Sequence, residues 1–106
     1  MAFNINEVVA EMISAIKSSV KNDWKLIKDT ANDFLDSKKE RLELLASLRI
    51  QNEINEEFFL KRLKDEKKIL ESELHAMAVI TKAAAERAAN AAFEVLGNAI
   101  NAAIHF

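Results

Sequence analysis

The C-terminal stretch from Ala76 to Phe106 is apolar around most of its circumference when it is drawn as a helix. One polar stripe interrupts it, at steps of three and four residues that keep its members on one face. The stripe consists of Arg87, Asn90, Glu94, Asn98, Asn101 and His105. A helix that is apolar over so much of its surface must be covered by protein or by lipid. We therefore predict that this stretch is the central helix of a bundle.

Apolar residues also recur at helical spacing through the first half of the chain. Several repeat every eleven residues, as in the series Val9, Val20, Ala31 and Leu42. An eleven-residue repeat corresponds to about 3.67 residues per turn, which is close to that of a straight α-helix. The pattern predicts one long helix over about residues 5–50, with Asn4 or Asn6 as its N-cap.

The apolar stripe loses its phase in the middle of the chain. Leu42, Leu45 and Leu48 define the stripe, but polar residues fill the positions that would continue it: Arg49, Asn52 and Glu56. A new stripe begins at Phe59, and Asn55 is placed to cap a second helix. The sequence therefore predicts a turn at about residues 50–55 and a second helix over about residues 55–104.

A weaker signal for a break lies at Asp36-Ser37. Ser37 and Glu40 match the Ser-x-x-Glu capping box, although the apolar stripe continues past them with little change of phase. We favour a helix that runs through this point. A turn there would give a three-helix bundle instead.

The second stripe has a polar step. Phe59, Leu63, Leu70, Leu74 and Met77 form the stripe, and Glu66 and Lys67 occupy the step between Leu63 and Leu70. We expect a polar layer to interrupt the core there, or the packing to loosen. Phe58 and Phe59 are neighbours and cannot share one helix face, so only one of them belongs to the core.

The two predicted helices have similar lengths, on the order of 70 Å each. One such antiparallel hairpin leaves much of its C-terminal helix uncovered, and a second copy would cover it. We therefore predict a homo-oligomer, most simply a dimer, that forms a four-helix bundle. The predicted self-association surface consists of Ala84, Ala88, Ala92, Val95, Leu96, Ala99 and Ile100.

Composition supports an all-α chain that forms a single domain over residues 1–106. Half of the residues are hydrophobic, and the chain has one glycine, Gly97, and no proline. Sheets need turns, which draw heavily on these two residue types. A glycine inside a helix costs about 1 kcal/mol, so Gly97 either frays the last turns or allows a close approach of another backbone.

Charge and cysteine content narrow the function classes. The net charge is −2, with basic and acidic residues interleaved, so no stripe suited to nucleic-acid phosphates is present. The absence of cysteine suits a cytoplasmic protein. No stretch is apolar enough to span a membrane, and the early Glu7 and Glu11 do not fit a secretory signal.

Candidate chemistry is sparse. His75 follows Glu71 by four residues, a spacing that can begin a metal site, but a di-iron Glu-x-x-His motif would need a glutamate where Ser72 stands. Solvated or core-edge histidines are the favoured interpretation, with no metal and no cofactor. Trp24 continues the first apolar stripe and is read as a core or interface residue. No constellation typical of catalysis is present, so we expect no enzymatic activity.

Two function hypotheses follow from these patterns. The first is a structural or interaction protein that self-associates and scaffolds or binds a partner helix. In this hypothesis the stripe of Arg87, Asn90, Glu94, Asn98 and Asn101 is either a buried polar ladder that fixes register or simply a solvated face, the second being favoured. The alternative hypothesis is a peripheral protein that lays an apolar helix on a lipid or granule surface without spanning it.

Overall fold

The chain is built entirely from helices in the residues that the structure, a computed structural model, describes, namely 3–77 and 80–105. Helix α1 covers Ile5–Val20, α2 covers Trp24–Ile50, α3 covers Glu56–Met77 and α4 covers Lys82–His105. A short 3₁₀ turn, Lys21–Asp23, joins α1 to α2. No strand occurs in these ranges, which confirms the all-α prediction.

The chain reverses direction at the 3₁₀ turn. Lys21 has φ 52° and ψ −106°, a conformation that glycine ordinarily adopts in tight turns. Beyond the turn, Lys39 Nζ donates a hydrogen bond to Asn6 Oδ1 at 2.9 Å. In a straight helix these two residues would lie about 50 Å apart. Helical residues do run without a gap from 5 to 50, but the prediction of one straight helix is wrong, because α2 folds back along α1.

The predicted turn in the middle of the chain is confirmed. Helix α2 ends at Ile50 in a Schellman motif: Glu53 N–H donates to the Leu48 carbonyl at 2.8 Å, and Asn52 N–H donates to that of Arg49 at 3.1 Å. Asn52 adopts the left-handed conformation that this motif requires, with φ 60°. Asn55 then caps α3, because its Oδ1 accepts from Phe58 N–H at 2.8 Å.

The predicted continuous helix over residues 55–104 is wrong, because α3 ends at Met77 and α4 begins at Lys82. Thr81 is the N-cap of α4, since its Oγ1 accepts from Ala84 N–H at 3.1 Å. Ala78 and Val79 lie outside the described residues, although the predicted helix included them.

The favoured reading of Asp36-Ser37 is confirmed, because α2 passes through both residues. The Ser37 hydroxyl does not cap a new helix. It donates instead to the Phe34 carbonyl one turn back, at 3.0 Å. At the start of α1, the cap is Asn4, whose Oδ1 accepts from the N–H groups of Asn6 and Glu7.

The four helices form an antiparallel bundle within one chain. Each helix packs against its neighbours in chain order, α4 closes the ring against α1, and α2 also touches α4 across the diagonal. Among the described residues, no Cα atom of α1 lies within 8 Å of one of α3. The longest dimension is 39 Å. The bundle that the sequence predicted from two hairpins is thus formed by the helices of a single chain.

The core lies between the four apolar faces. Its largest completely buried side chains are Met12, Ile16, Ile27, Leu35, Leu42, Leu70, Leu74, Leu96 and Ile100. Small residues of α4 face α1 and allow the two helices to approach closely. In the described part of the chain, no helix combines the length and the apolar character that crossing a bilayer requires.

Candidate interaction groove

The predicted self-association residues belong to the core of the single chain. Ala84, Ala88, Ala92, Leu96 and Ile100 are buried, and Val95 and Ala99 are partly buried. The other helices of the same chain supply the cover that a second copy was expected to supply. The five buried residues are therefore inaccessible to another copy of the folded chain, and Val95 and Ala99 offer it only part of their surface.

The polar stripe of α4 lies on the solvent side of the bundle. Arg87, Asn90, Glu94, Asn98 and Asn101 are all exposed. The stripe is thus the solvated face of an otherwise buried helix, which is the interpretation that the sequence favoured over a buried ladder. The side chain of His105 lies outside the described residues.

A groove with an apolar floor runs between α3 and α4. Leu60, Leu63 and Phe93 form its floor, and the groove encloses about 410 Å³. Leu60 leaves 52% of its surface exposed, whereas Phe93 is almost completely buried. Leu60 lies at the edge of the apolar arc of α3, beyond what the core covers.

The two rims of the groove carry opposite charges. Lys64 and Lys67 of α3 stand on one side, and Asn90 and Glu94 of α4 stand on the other. Within the described residues, Arg41 and Glu66 form the only ion pair closer than 4.0 Å, so the lysines and Glu94 do not pair across the groove. An opposite charge from outside would therefore find both rims available.

Other exposed apolar side chains are concentrated on the same helix. Among the described residues six large hydrophobic side chains are exposed, four of them on α3 and two on α2: Phe58, Leu60, Ile69 and Met77, and Leu26 and Leu44. Phe59 is buried at 3% exposure while Phe58 is half exposed, so the two phenylalanines divide between core and surface as predicted. Trp24 packs at the edge of the core.

A buried carboxylate lies on α3, one residue before Lys67. Glu66 is 2% exposed, and its Oε1 lies 3.4 Å from Nε of Arg41, whose own side chain is about half exposed. The second oxygen, Oε2, is buried and has no hydrogen-bond partner. The polar layer that the sequence predicted is thus present at Glu66, while Lys67 is only partly buried at the rim of the groove.

The remaining candidates offer less. His75 is exposed, and the described residues contain no cluster of three metal-ligating side chains. Two further depressions, of about 200 and 340 Å³, lie between α1 and α4 and between α1 and α2. None of the six exposed hydrophobic side chains lines either of them.

Comparison with protein-family models, with curated proteins and with solved structures finds no match to this chain. Sequence reasoning missed the groove because it depends on how α3 and α4 pack, and the chain was expected to continue as one helix through both. The signal that was present is Leu60, an apolar residue beside the predicted core stripe.

Proposed function

We propose that this protein is a non-enzymatic structural or interaction protein that binds a partner helix in the groove between α3 and α4. The observation that carries the proposal is the half-exposed Leu60, which lines the apolar floor of the groove with Leu63 and Phe93. Exposed apolar surface that borders a groove and is flanked by charges is typical of binding sites. A cytoplasmic location belongs to the same proposal and rests on the cysteine-free sequence.

A helix is the ligand that suits this groove. An amphipathic helix lays its apolar face into a groove between two helices, with anchors spaced at three and four residues. The groove lies between two antiparallel helices, so a third helix packed along them would extend the bundle with the same ridges-into-grooves contacts. It would also remove the exposed half of Leu60 from water, which contributes about half of the 1.5–3 kcal/mol expected for full burial of a leucine side chain.

The lipid-surface alternative loses the support that motivated it. That hypothesis relied on the apolar faces of the N-terminal and C-terminal helices, which form the core of the bundle through residues such as Met12, Ile16 and Leu96. Laying either helix on a lipid surface would require the bundle to open. The folded chain instead presents its apolar surface on α3.

The test is selection of helical peptides against the folded protein, followed by substitution in the groove. We expect selected amphipathic peptides to lose binding in Leu60→Glu and to retain it in Leu26→Glu. Leu26 is a matched control, because it is 54% exposed on α2, away from the groove. Circular dichroism checks that both variants keep the wild-type helix content and melting temperature.

Three results would contradict the proposal. Selection could yield no binder, or Leu60→Glu and Leu26→Glu could weaken binding equally. The third is a pair of observations: the wild-type protein sediments with phosphatidylcholine–phosphatidylglycerol vesicles, and Leu60→Glu does not change peptide binding. The last outcome would favour the lipid-surface hypothesis.

A further inference from the structure

We infer that a second copy of this chain covers the groove, so that two bundles associate through their α3–α4 faces about a two-fold axis. The inference rests on the proposed function, since it names the partner of the same groove.

The rim charges lie at the same height. Leu63 and Gly97 are level with each other, because a Cβ at position 97 would lie 3.8 Å from Leu63 Cδ2. Helices α3 and α4 are antiparallel. A step from Gly97 toward the N-terminus of α4 therefore corresponds to an equal step from Leu63 toward the C-terminus of α3. Glu94 therefore lies within about one helical turn of the level of Lys64 and Lys67, with which it lines the groove.

This arrangement is complementary to itself about one axis. A two-fold axis parallel to the groove places α3 of one copy opposite α4 of the other, in antiparallel orientation. Lys64 and Lys67 then face Glu94 of the other copy, and the symmetry repeats the pairing. A two-fold axis across the groove would instead set lysines against lysines. The charges thus favour one mode of association over the other.

Gly97 gives the partner room at the level of Leu60. By the same register, Leu60 is level with residue 100, less than one helical turn from Gly97. Gly97 is partly exposed. A Cβ atom added at this position would lie at an ordinary van der Waals distance from Leu63, so packing within the chain does not require glycine here. Leu60 of one copy would lie near the gap that Gly97 leaves on α4 of the other.

The test exchanges the charges of the rims. Glu94→Lys makes both rims basic, and Lys64→Glu with Lys67→Glu makes both rims acidic. We expect each altered protein alone to dimerise about tenfold or more weakly than wild type in sedimentation equilibrium, because like charges then face each other. An equimolar mixture of the two is expected to recover a heterodimer, since every contact is again between opposite charges.

The controls separate this inference from the proposed function. Leu26→Glu is expected to leave dimerisation unchanged and Leu60→Glu to abolish it, each with unaltered circular dichroism. If the double lysine variant does not fold, Lys64→Glu alone takes its place. The inference would be overturned if the wild-type protein stays monomeric at the highest concentration that sedimentation equilibrium can examine. It would also be overturned by a dimer that Leu60→Glu does not weaken, or by a mixture of the two charge variants that does not recover association. If the protein does not dimerise but still binds helical peptides in the groove, the proposed function stands without this inference. If peptide binding is absent as well, both the proposed function and this inference are refuted.

Discussion

Replacing Glu66 by leucine is expected to stabilise the bundle. The carboxylate is buried, one of its oxygens has no hydrogen-bond partner, and the other lies 3.4 Å from a guanidinium that is half exposed. Residues 59, 63, 70 and 74 of the same face are apolar. Leucine at position 66 would make the apolar face of α3 continuous.

Opposing contributions set the size of the effect. Leaving a buried polar atom without a partner costs about 1–3 kcal/mol, and Glu66→Leu removes that cost. The same change loses the interaction with Arg41, which contributes about 0–1 kcal/mol because Arg41 is largely in solvent. The net expectation is a stabilisation of about 1–2 kcal/mol. For a domain of about 100 residues, each 1 kcal/mol raises the melting temperature by about 4–8 °C.

Urea denaturation followed by circular dichroism measures this change. Glu73→Leu is the matched control, because Glu73 is exposed on the same helix, and its effect is expected to stay within about 0.5 kcal/mol. Arg41→Gln tests the pair from the other side. It is expected to destabilise the wild-type protein and to have little effect in the Glu66→Leu background, because no buried charge then remains to be compensated.

A destabilisation of about 1 kcal/mol or more by Glu66→Leu would refute this reasoning. It would show that the carboxylate contributes net stability, which requires a partner for Oε2. An unchanged free energy of unfolding would show that the costs of the orphaned oxygen and the gain from Arg41 cancel.

Three further substitutions test the local structure, each by chemical denaturation. Lys21→Gly is expected to stabilise the protein by about 1 kcal/mol, because glycine adopts the positive φ of this turn without strain; a loss of stability would contradict the chain reversal. Leu70→Ala is expected to cost about 2–5 kcal/mol, as for a completely buried leucine, whereas the exposed Lys68→Ala should cost less than about 0.5 kcal/mol. Asn55→Ala is expected to cost about 1 kcal/mol by removing the cap of α3, and a change near zero would argue against that cap.

The sequence predicted the turn that polar residues mark, between α2 and α3. The turn before α3 could be predicted because the apolar stripe changes phase there and because Asn55, a favourable N-cap residue, precedes the new stripe. The burial of Phe59 and the polar step at Glu66 also followed from helical periodicity, whereas Met77, which the same periodicity placed in the stripe, is exposed at the end of α3. Local pattern is sufficient for such features, because they depend on which face of one helix a residue occupies.

The breaks between α1 and α2 and between α3 and α4 were missed, because no change of phase in the apolar stripe marks them. At Lys21 the apolar residues keep their eleven-residue spacing on both sides, and no glycine announces the positive φ. Before α4, Thr81 is the one capping residue in an otherwise apolar run. Missing these breaks turned a bundle of four short helices into a hairpin of two long ones, which in turn made a second copy appear necessary to cover α4. The groove was missed for the same reason, since it is formed only when α3 and α4 lie side by side.

The most direct test of this fold is a distance between α1 and α2. Because the chain has no cysteine, Asn6→Cys and Lys39→Cys can carry two spin labels, and dilution with unlabelled protein restricts electron–electron resonance to pairs within one chain. The reversal at Lys21 predicts a short distance, since these side chains are in hydrogen-bond contact. A distance of about 50 Å would instead correspond to a straight helix and would contradict the single-chain bundle.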